Sequence, residues 1–462
     1  VDYEVLSALL AKKANVNVKN EFGFTPIAEA AALGDAKMVK MLLDAGADRE
    51  GANPDGQTAL MLAIKTGEVD AVKLLIQAGA NVNTVEKFHQ QTPLMWAASA
   101  EQNSGPMVRL LLANGADLKP RALYTDWPSQ ITAEPRAQYR PVGGLTALLY
   151  AARDGCYDCV DALIRAGGNV NQPTPEGVTA LMLAIDNDYN DVAKLLLDRG
   201  ANPGVWDWWG RTALYIAIDR KGCAGRKACA GSVPFGSRGS SMDIIRALLA
   251  ADIDVNAQLN FHRPSRGGNN GRFIEPLLNT GCTPLMRATI GAWAIDANEP
   301  ERSKTSGDPE VVRALLAKGA DPNINDMGLT PFLFAAGVGV GDIDGTGLAK
   351  DWSVGGPVNK EMMELLLQHG ADVNAQVTGT RTYSMRISRA PSANEGRTAL
   401  HIAAMTGNIE LARYLLQKGA KPEIQDAGGR KAIDLIGAGA SGKNPVIEDE
   451  IRRLLESAAA KK

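Results

Sequence analysis

Apolar and polar positions follow one order again and again along this chain. A short apolar run such as Ala59 to Lys65 is stopped by Gly67. Its near-continuous apolar character and length predict a buried helix of about two turns. Val72, Leu74, Leu75 and Ile76 then fall on the apolar side of a second helix that ends at Ala78-Gly79-Ala80-Asn81. Glycine there suits the left-handed residue that closes a helix. About ten polar residues rich in Asn, Asp and Gly lead on to the next threonine, the composition of a hairpin-like turn. The unit is therefore helix, turn, helix, hairpin.

The order recurs in register. Threonines that open the first helix stand at Thr25, Thr58, Thr92, Thr146, Thr179, Thr212, Thr283, Thr330 and Thr398, with spacings of 33, 34, 54, 33, 33, 71, 47 and 68. Four spacings sit at a base period of 33–34, and the others exceed it by 14 to 38 residues. A fixed register with insertions describes a stack of one supersecondary unit. Thr before Pro or Ala (Thr25-Pro26, Thr92-Pro93, Thr283-Pro284, Thr330-Pro331) is an N-cap followed by a residue suited to the first helical turn. The closing glycines recur as Gly46, Gly115, Gly200, Gly319, Gly370 and Gly419. Two short helices cannot bury their own apolar faces, so each unit needs neighbours.

Thr398-Ala399-Leu400-His401-Ile402-Ala403-Ala404, Gly407, Leu415-Leu416 and Gly419-Ala420 resemble the ankyrin repeat, over nearly the whole chain. The resemblance implies an all-α solenoid, a stack of helix pairs joined by β-hairpin-like loops. It divides the chain into a partial repeat at 1–24, nine full repeats over 25–430, and a capping repeat at 431–462. Val5, Leu9 and Leu10 read as a second helix lacking its first, and Val1 is not Met, so a trimmed start is expected. Lys431-Ala432-Ile433 replaces the threonine signature, and the helix expected from Ile447 to Ala460 is charged on one side, as a cap requires. Eleven layers at roughly 8–10 Å each would make a curved rod on the order of 100 Å long.

Counting from Thr to the closing Gly places the insertions. Residues 118–144, 255–282 and 373–397 enlarge hairpins, while 220–241, 291–309 and 337–359 enlarge the turn between paired helices. Loops this long inside a compact repeat are functional or disordered in most cases. Charge changes the picture here. The whole chain is near neutral, with 49 Lys+Arg against 52 Asp+Glu, but the enlarged hairpins carry +2, +2 and +3, leaving −10 on the rest. Their aromatic residues (Tyr124, Trp127, Tyr139, Phe261, Phe273, Tyr383) are interleaved with Arg263, Arg266, Arg272, Arg381, Arg386 and Arg389. Arginine with aromatics is the composition of interface anchors. Loops that fold back and bury their own aromatics are the alternative. Val205-Trp206-Asp207-Trp208-Trp209-Gly210-Arg211 puts three tryptophans in a hairpin of ordinary length. The resemblance places Trp208 and Trp209 at the exposed tip with Trp206 nearby, a first-choice contact patch; cover from a neighbouring finger is the alternative. Trp96 and Tyr150 read as core.

Candidate chemistry is sparse. Cys156-Tyr157-Asp158-Cys159 opens a second helix, where a helix N-terminus lowers a thiol pKa. Cys159 nevertheless falls on a position that is apolar in sister repeats, so a small core residue is the favoured reading over a redox pair. Cys223 and Cys229 bracket a short span of a Gly-rich loop and are a disulfide candidate, which with the missing Met leans the expectation towards export. Cys282 is expected to be a lone thiol. Gly337-Val338-Gly339-Val340-Gly341 follows a helix, so it lacks the setting of a nucleotide loop. Asp342, Asp344 and Asp351 miss the spacing of a calcium loop. His89, His262, His369 and His401 are dispersed, the last at the signature position of the family. No catalytic residues, metal or cofactor are expected, and no apolar run reaches membrane-spanning length.

The favoured reading is a non-catalytic scaffold for another protein or a multi-protein complex, bound through hairpin fingers and the concave face. A binder of nucleic acid or acidic polysaccharide is the second reading, disfavoured by the acidic body, and a thiol oxidoreductase using Cys156 and Cys159 is the third.

Overall fold

The computed structural model describes residues 2–125, 142–223, 241–259, 281–290, 307–325, 328–338, 358–378, 394–438 and 444–460. The chain forms two compact units that meet in sequence between Val205 and Trp206. In the first, a lone helix α1 (Tyr3–Ala11) precedes five helix pairs. These are α2 (Pro26–Ala32) with α3 (Ala36–Asp44), α4 (Ala59–Thr66) with α5 (Val69–Gln77), α6 (Pro93–Ala98) with α7 (Ser104–Ala113), α8 (Ala147–Arg153) with α9 (Tyr157–Arg165), and α10 (Ala180–Asp186) with α11 (Asn190–Asp198). The second holds α12 (Ala213–Cys223) with α13 (Ser241–Ala250), α14 (Pro284–Ile290) with α15 (Pro309–Ala317), α16 (Pro331–Ala335) with α17 (Lys360–Gln368), and α18 (Ala399–Thr406) with α19 (Ile409–Gln417). A 3-10 turn at Ala432–Leu435 and α20 (Pro445–Ala459) close it. Among the described residues the only strands are β1 (Tyr124–Thr125) and β2 (Val142–Gly143), paired antiparallel.

Each first helix begins where threonine chemistry places it. The buried Thr25, Thr58, Thr92, Thr146, Thr179, Thr212, Thr283 and Thr330 accept the N–H three residues on, at 3.1–3.4 Å. Each satisfies a donor that the first helical turn would leave unpaired inside the core. Most residues of these helices are apolar and enclosed. All of Ala59 to Ile64 is buried, and so is every residue of α14. In the first unit each packs on its own second helix and on the first helix of the next repeat. The second helices bury one stripe, Val72, Leu75 and Ile76 in α5, and show charge outward. Burying a side chain of this size is worth about 1.5–3 kcal/mol, and none of it is available to an isolated pair.

Two hydrogen-bond devices hold the stack in register. The first is an asparagine four residues after the glycine that closes the second helix, present in several repeats. Asn171 donates to the Gly200 carbonyl at 3.1 Å and accepts the Asn202 N–H at 2.7 Å. Asn83 does the same with Gly115 and Asp117, and Asn323 with Gly370 and Asp372. One carboxamide thus spans two successive repeats. The receiving glycines have φ of 85° at Gly200 and 88° at Gly370, with open space where a Cβ would stand, so the backbone conformation alone selects glycine there.

The second device lies inside the repeat. In several pairs the N–H of the residue capping the second helix donates to the carbonyl five residues after the capping threonine: Asp35 to Ala30, Cys156 to Ala151, Tyr189 to Ala184 and Asn408 to Ala403. Where an insertion intervenes the bond is unchanged. Asp308 donates to Ala288 and Asn359 to Ala335, both at 2.9 Å. The enlarged hairpins also share a common root. Ala122 N–H donates to Leu145 and Gly144 to Leu123; Leu259 to Cys282 and Gly281 to Leu259; Val377 to Arg397 and Gly396 to Val377. Extra chain enters between fixed bonds and leaves the packing alone.

An ion pair is enclosed in the second unit. Arg287 on α14 reaches Asp219 on α12 at 2.8 Å, with side chains only 3% and 6% exposed. Removing one member leaves a buried charge, so Asp219→Ala should cost about 3–5 kcal/mol. Asn171→Ala, which removes two bonds at the surface, should cost about 1–2 kcal/mol. Urea denaturation of both variants, followed by circular dichroism, checks the order and the size of the two effects.

Candidate partner-binding surface

The hairpin tips named here are each built around one polar side chain, buried at Glu86, Asp207 and Asp426 and exposed at Asn20. Asp207, 1% exposed, accepts the backbone N–H of Trp209 and of Arg211 at 3.0 and 2.9 Å and the Arg211 guanidinium at 2.7 Å. Asp426 does the same for Gly428 and Arg430, and these bonds hold its carboxyl below the ordinary value against the opposing effect of burial. Asn20 accepts from Phe22 and Phe24, and Glu86 from Phe88, His89 and Gln91. Neighbouring tips are also tied together. Lys87 N–H donates to Asp55, Leu123 N–H to His89, Thr378 N–H to Gly328 and Ala427 N–H to Glu395. Arg121 donates to both Gly144 and Pro173 at 2.8 and 2.9 Å. The tips are fixed points.

What they present differs in part from the expectation. Trp206 and Trp208 are 61% and 43% exposed, whereas Trp209 is buried at 8%. Trp209 is therefore corrected from an exposed anchor to an inward-facing residue: the turn closes on the Asp207 carboxylate, which draws residue 209 to its inner side. Tyr124 is exposed at the root of its finger, on β1. Tyr150 is buried, and its hydroxyl receives Gln91 Nε2 at 2.6 Å. Trp96 is only half-buried, a correction to its reading as core, although its indole nitrogen is enclosed. Trp127, Arg263, Arg266, Arg272, Phe273, Arg381, Tyr383, Arg386 and Arg389 lie outside the described residues, as does Cys229 of the Cys223–Cys229 pair.

Sequence reasoning missed two further tip residues. Phe22 and Phe88 are 68% and 70% exposed in the first unit, and the Phe88 ring lies 5.3 Å from that of His89. The available signal was an apolar residue between the polar tip residue and the next threonine, where sister hairpins carry Asp55 or Glu176. Cys156 and Cys159 also differ from their favoured reading. Cys159 is fully buried, but it is joined to Cys156 in a disulfide. Cys282 is buried and forms no disulfide among the described residues. No group of three or more His, Cys, Asp or Glu among the described residues could hold a metal, and no described helix is long and apolar enough to cross a membrane.

His401 has a structural task. Its Nδ1 accepts the Thr398 N–H at 3.1 Å, and its Nε2 faces the Arg430 carbonyl at 3.1 Å. These contacts select the neutral ring with the proton on Nε2. Burial pushes the imidazole pKa down, opposed by the bond to Arg430.

Comparison with known proteins agrees with this architecture. The description "Ankyrin repeats (3 copies)" matches residues 2–86, 52–122, 130–207, 148–230 and 355–426, and "Ankyrin repeat" matches 280–327. Together these spans cover well over half of the chain. The protein belongs to the ankyrin-repeat family, whose repeats serve as protein-interaction modules. Two plant proteins of Arabidopsis thaliana, the ADP-ribosylation factor GTPase-activating proteins AGD2 and AGD4, are each 38% identical over 73 residues. That stretch is 16% of this chain and 7% of either relative, so the chain spans a small fraction of the proteins it resembles.

Because the unfolded His401 takes up a proton near pH 6.5 and the folded one only at lower pH, the unfolded state binds more protons below that point. Stability is fully present above about pH 6.5 and declines as the pH falls below it, by at most about 1.4 kcal/mol per unit from this group. Urea titrations of the wild type and His401→Gln between pH 7.5 and 5.5 check this. The variant should start lower and decline less.

Proposed function

We propose that this chain is a non-catalytic scaffold, an adaptor or subunit of a larger assembly, that holds a protein partner through its hairpin tips and fingers and its concave face. The observation that carries this reading is the exposure of Trp206 and Trp208 on a tip locked by Asp207. Large aromatic rings in water are costly to keep unless a partner covers them. A tip held by its own hydrogen bonds loses little freedom on binding, so more of the contact energy appears as affinity. Phe22 and Phe88 extend the same logic to the first unit. The basic, aromatic composition of the enlarged hairpins suits acidic groups on the partner, where charge mainly steers encounter and orientation. The GTPase-activating activity in the names of the two plant relatives is not part of the proposal, since the shared stretch is 7% of their length.

The test is isolation of the intact chain from its native extract, with and without Trp206→Ala/Trp208→Ala. A stoichiometric protein partner whose affinity falls at least about tenfold in the double variant is expected, the loss typical of one aromatic anchor or more. Retention at full affinity would remove the tryptophans from the contact. A partner that is nucleic acid or polysaccharide, released steeply by salt, would replace this reading with binding of an anionic polymer.

A further inference from the structure

The inter-helix turn that opens α9 is unlike its sisters. Asp35, Asp308, Asn359 and Asn408 cap their second helices with a side-chain oxygen. At α9 the capping residue is Cys156, whose sulfur receives the Cys159 N–H at 3.3 Å. The two cysteines are joined in a disulfide, and their sulfurs are not equivalent. Cys159 is fully enclosed, while Cys156 is half-exposed beside Tyr157, which is 45% exposed.

The bond is not what shapes the turn. Cys156 N–H donates to Ala151 just as Asp35 donates to Ala30 and Asn408 to Ala403, in repeats without any disulfide. Gly155, at φ 75°, lies so close to the Tyr189 ring that a Cβ would stand 2.1 Å from it, which holds the turn against the neighbouring repeat. The position is already set by packing and by the backbone. What the cysteines add is chemistry: a disulfide between a half-exposed residue at a helix N-terminus, where unpaired N–H groups stabilise a thiolate, and a fully buried residue one turn on.

We infer that Cys156–Cys159 is a thiol-exchange site, whose incoming ligand is a thiolate carried by a small molecule or by a cysteine of another protein. The thiolate attacks Cys156 Sγ. The Cys156–Cys159 bond breaks, its electron pair leaves on Cys159 Sγ, which takes a proton, and a mixed disulfide forms at Cys156. A second thiolate then attacks the incoming sulfur of that mixed disulfide. This releases Cys156 as a thiolate and leaves the ligand as a disulfide, so two electrons pass to the cysteine pair and two ligand thiols are oxidised. The reverse sequence, starting from a disulfide ligand, restores the bond, with Cys159 as the resolving thiol. The exchange is stoichiometric and independent of the scaffold reading, since it needs no hairpin tip.

The experiment exposes the folded chain to reduced glutathione and, separately, to reduced thioredoxin, followed by alkylation and peptide mapping. Circular dichroism is recorded throughout. The expected result is opening of Cys156–Cys159 with the helical signal unchanged. Opening by glutathione identifies a small thiol as sufficient, and opening by thioredoxin alone identifies a protein thiol. In Cys159→Ser, oxidised glutathione should place one adduct on Cys156; in Cys156→Ser the folded chain should carry none on Cys159. The wild-type arm stands even if a variant fails to fold. A bond that opens to neither reagent until the chain unfolds would overturn the inference.

Discussion

A pair of helices five to eleven residues long has too little apolar surface to stand alone, and every other feature of this molecule answers to that constraint. Each layer must be held against the next, in register. The buried threonine caps let the first helices be enclosed without unpaired donors. The asparagine that bridges one repeat to the glycine carbonyl of the next fixes the step between layers, as Asn171 does with Gly200 and Asn202. The bond from the second-helix cap to the first helix fixes the pair itself. Since both devices are local, the chain accepts 14 to 38 extra residues in a repeat without losing the stack. Asp308 still finds Ala288, and Asn359 still finds Ala335.

The same constraint sets where the hairpins lie. Stacking brings hairpins side by side at one end of the helix pairs, and bonds such as Leu123 to His89 and Ala427 to Glu395 join neighbouring tips. Side chains at the tips are not required by the core, so they are open to other uses. Trp206, Trp208, Phe22 and Phe88 use that freedom for exposed aromatic surface. The turn at the opposite end of one pair carries Cys156 and Cys159 instead, on a backbone that other repeats form without them.

The helix boundaries were legible in the sequence because caps are local chemistry: Thr58, Gly67 and Gly79 act on their immediate neighbours. The corrections arise where a side chain answers to something several residues or a whole repeat away. Trp209 and Trp208 are adjacent and chemically alike, and only the closure of the turn on Asp207 separates the buried ring from the exposed one. Spacing alone did not distinguish a buried Cys159 from a bonded one. The Asp219–Arg287 pair joins residues 68 apart in sequence, and nothing in either helix announces the other. Phe22 and Phe88 were readable, since each stands where sister hairpins carry a carboxylate such as Asp55 or Glu176.

On the proposed reading, partners are read by tips held rigid on the stack. Hydrogen exchange of the intact chain, followed by mass spectrometry with and without its co-purified partner, addresses this most directly. Slowed exchange concentrated in the tip segments 20–24, 86–91 and 206–211, with the helices unchanged, is the expected result. Protection confined to the second helices, with the tips exchanging as in the isolated chain, would contradict it.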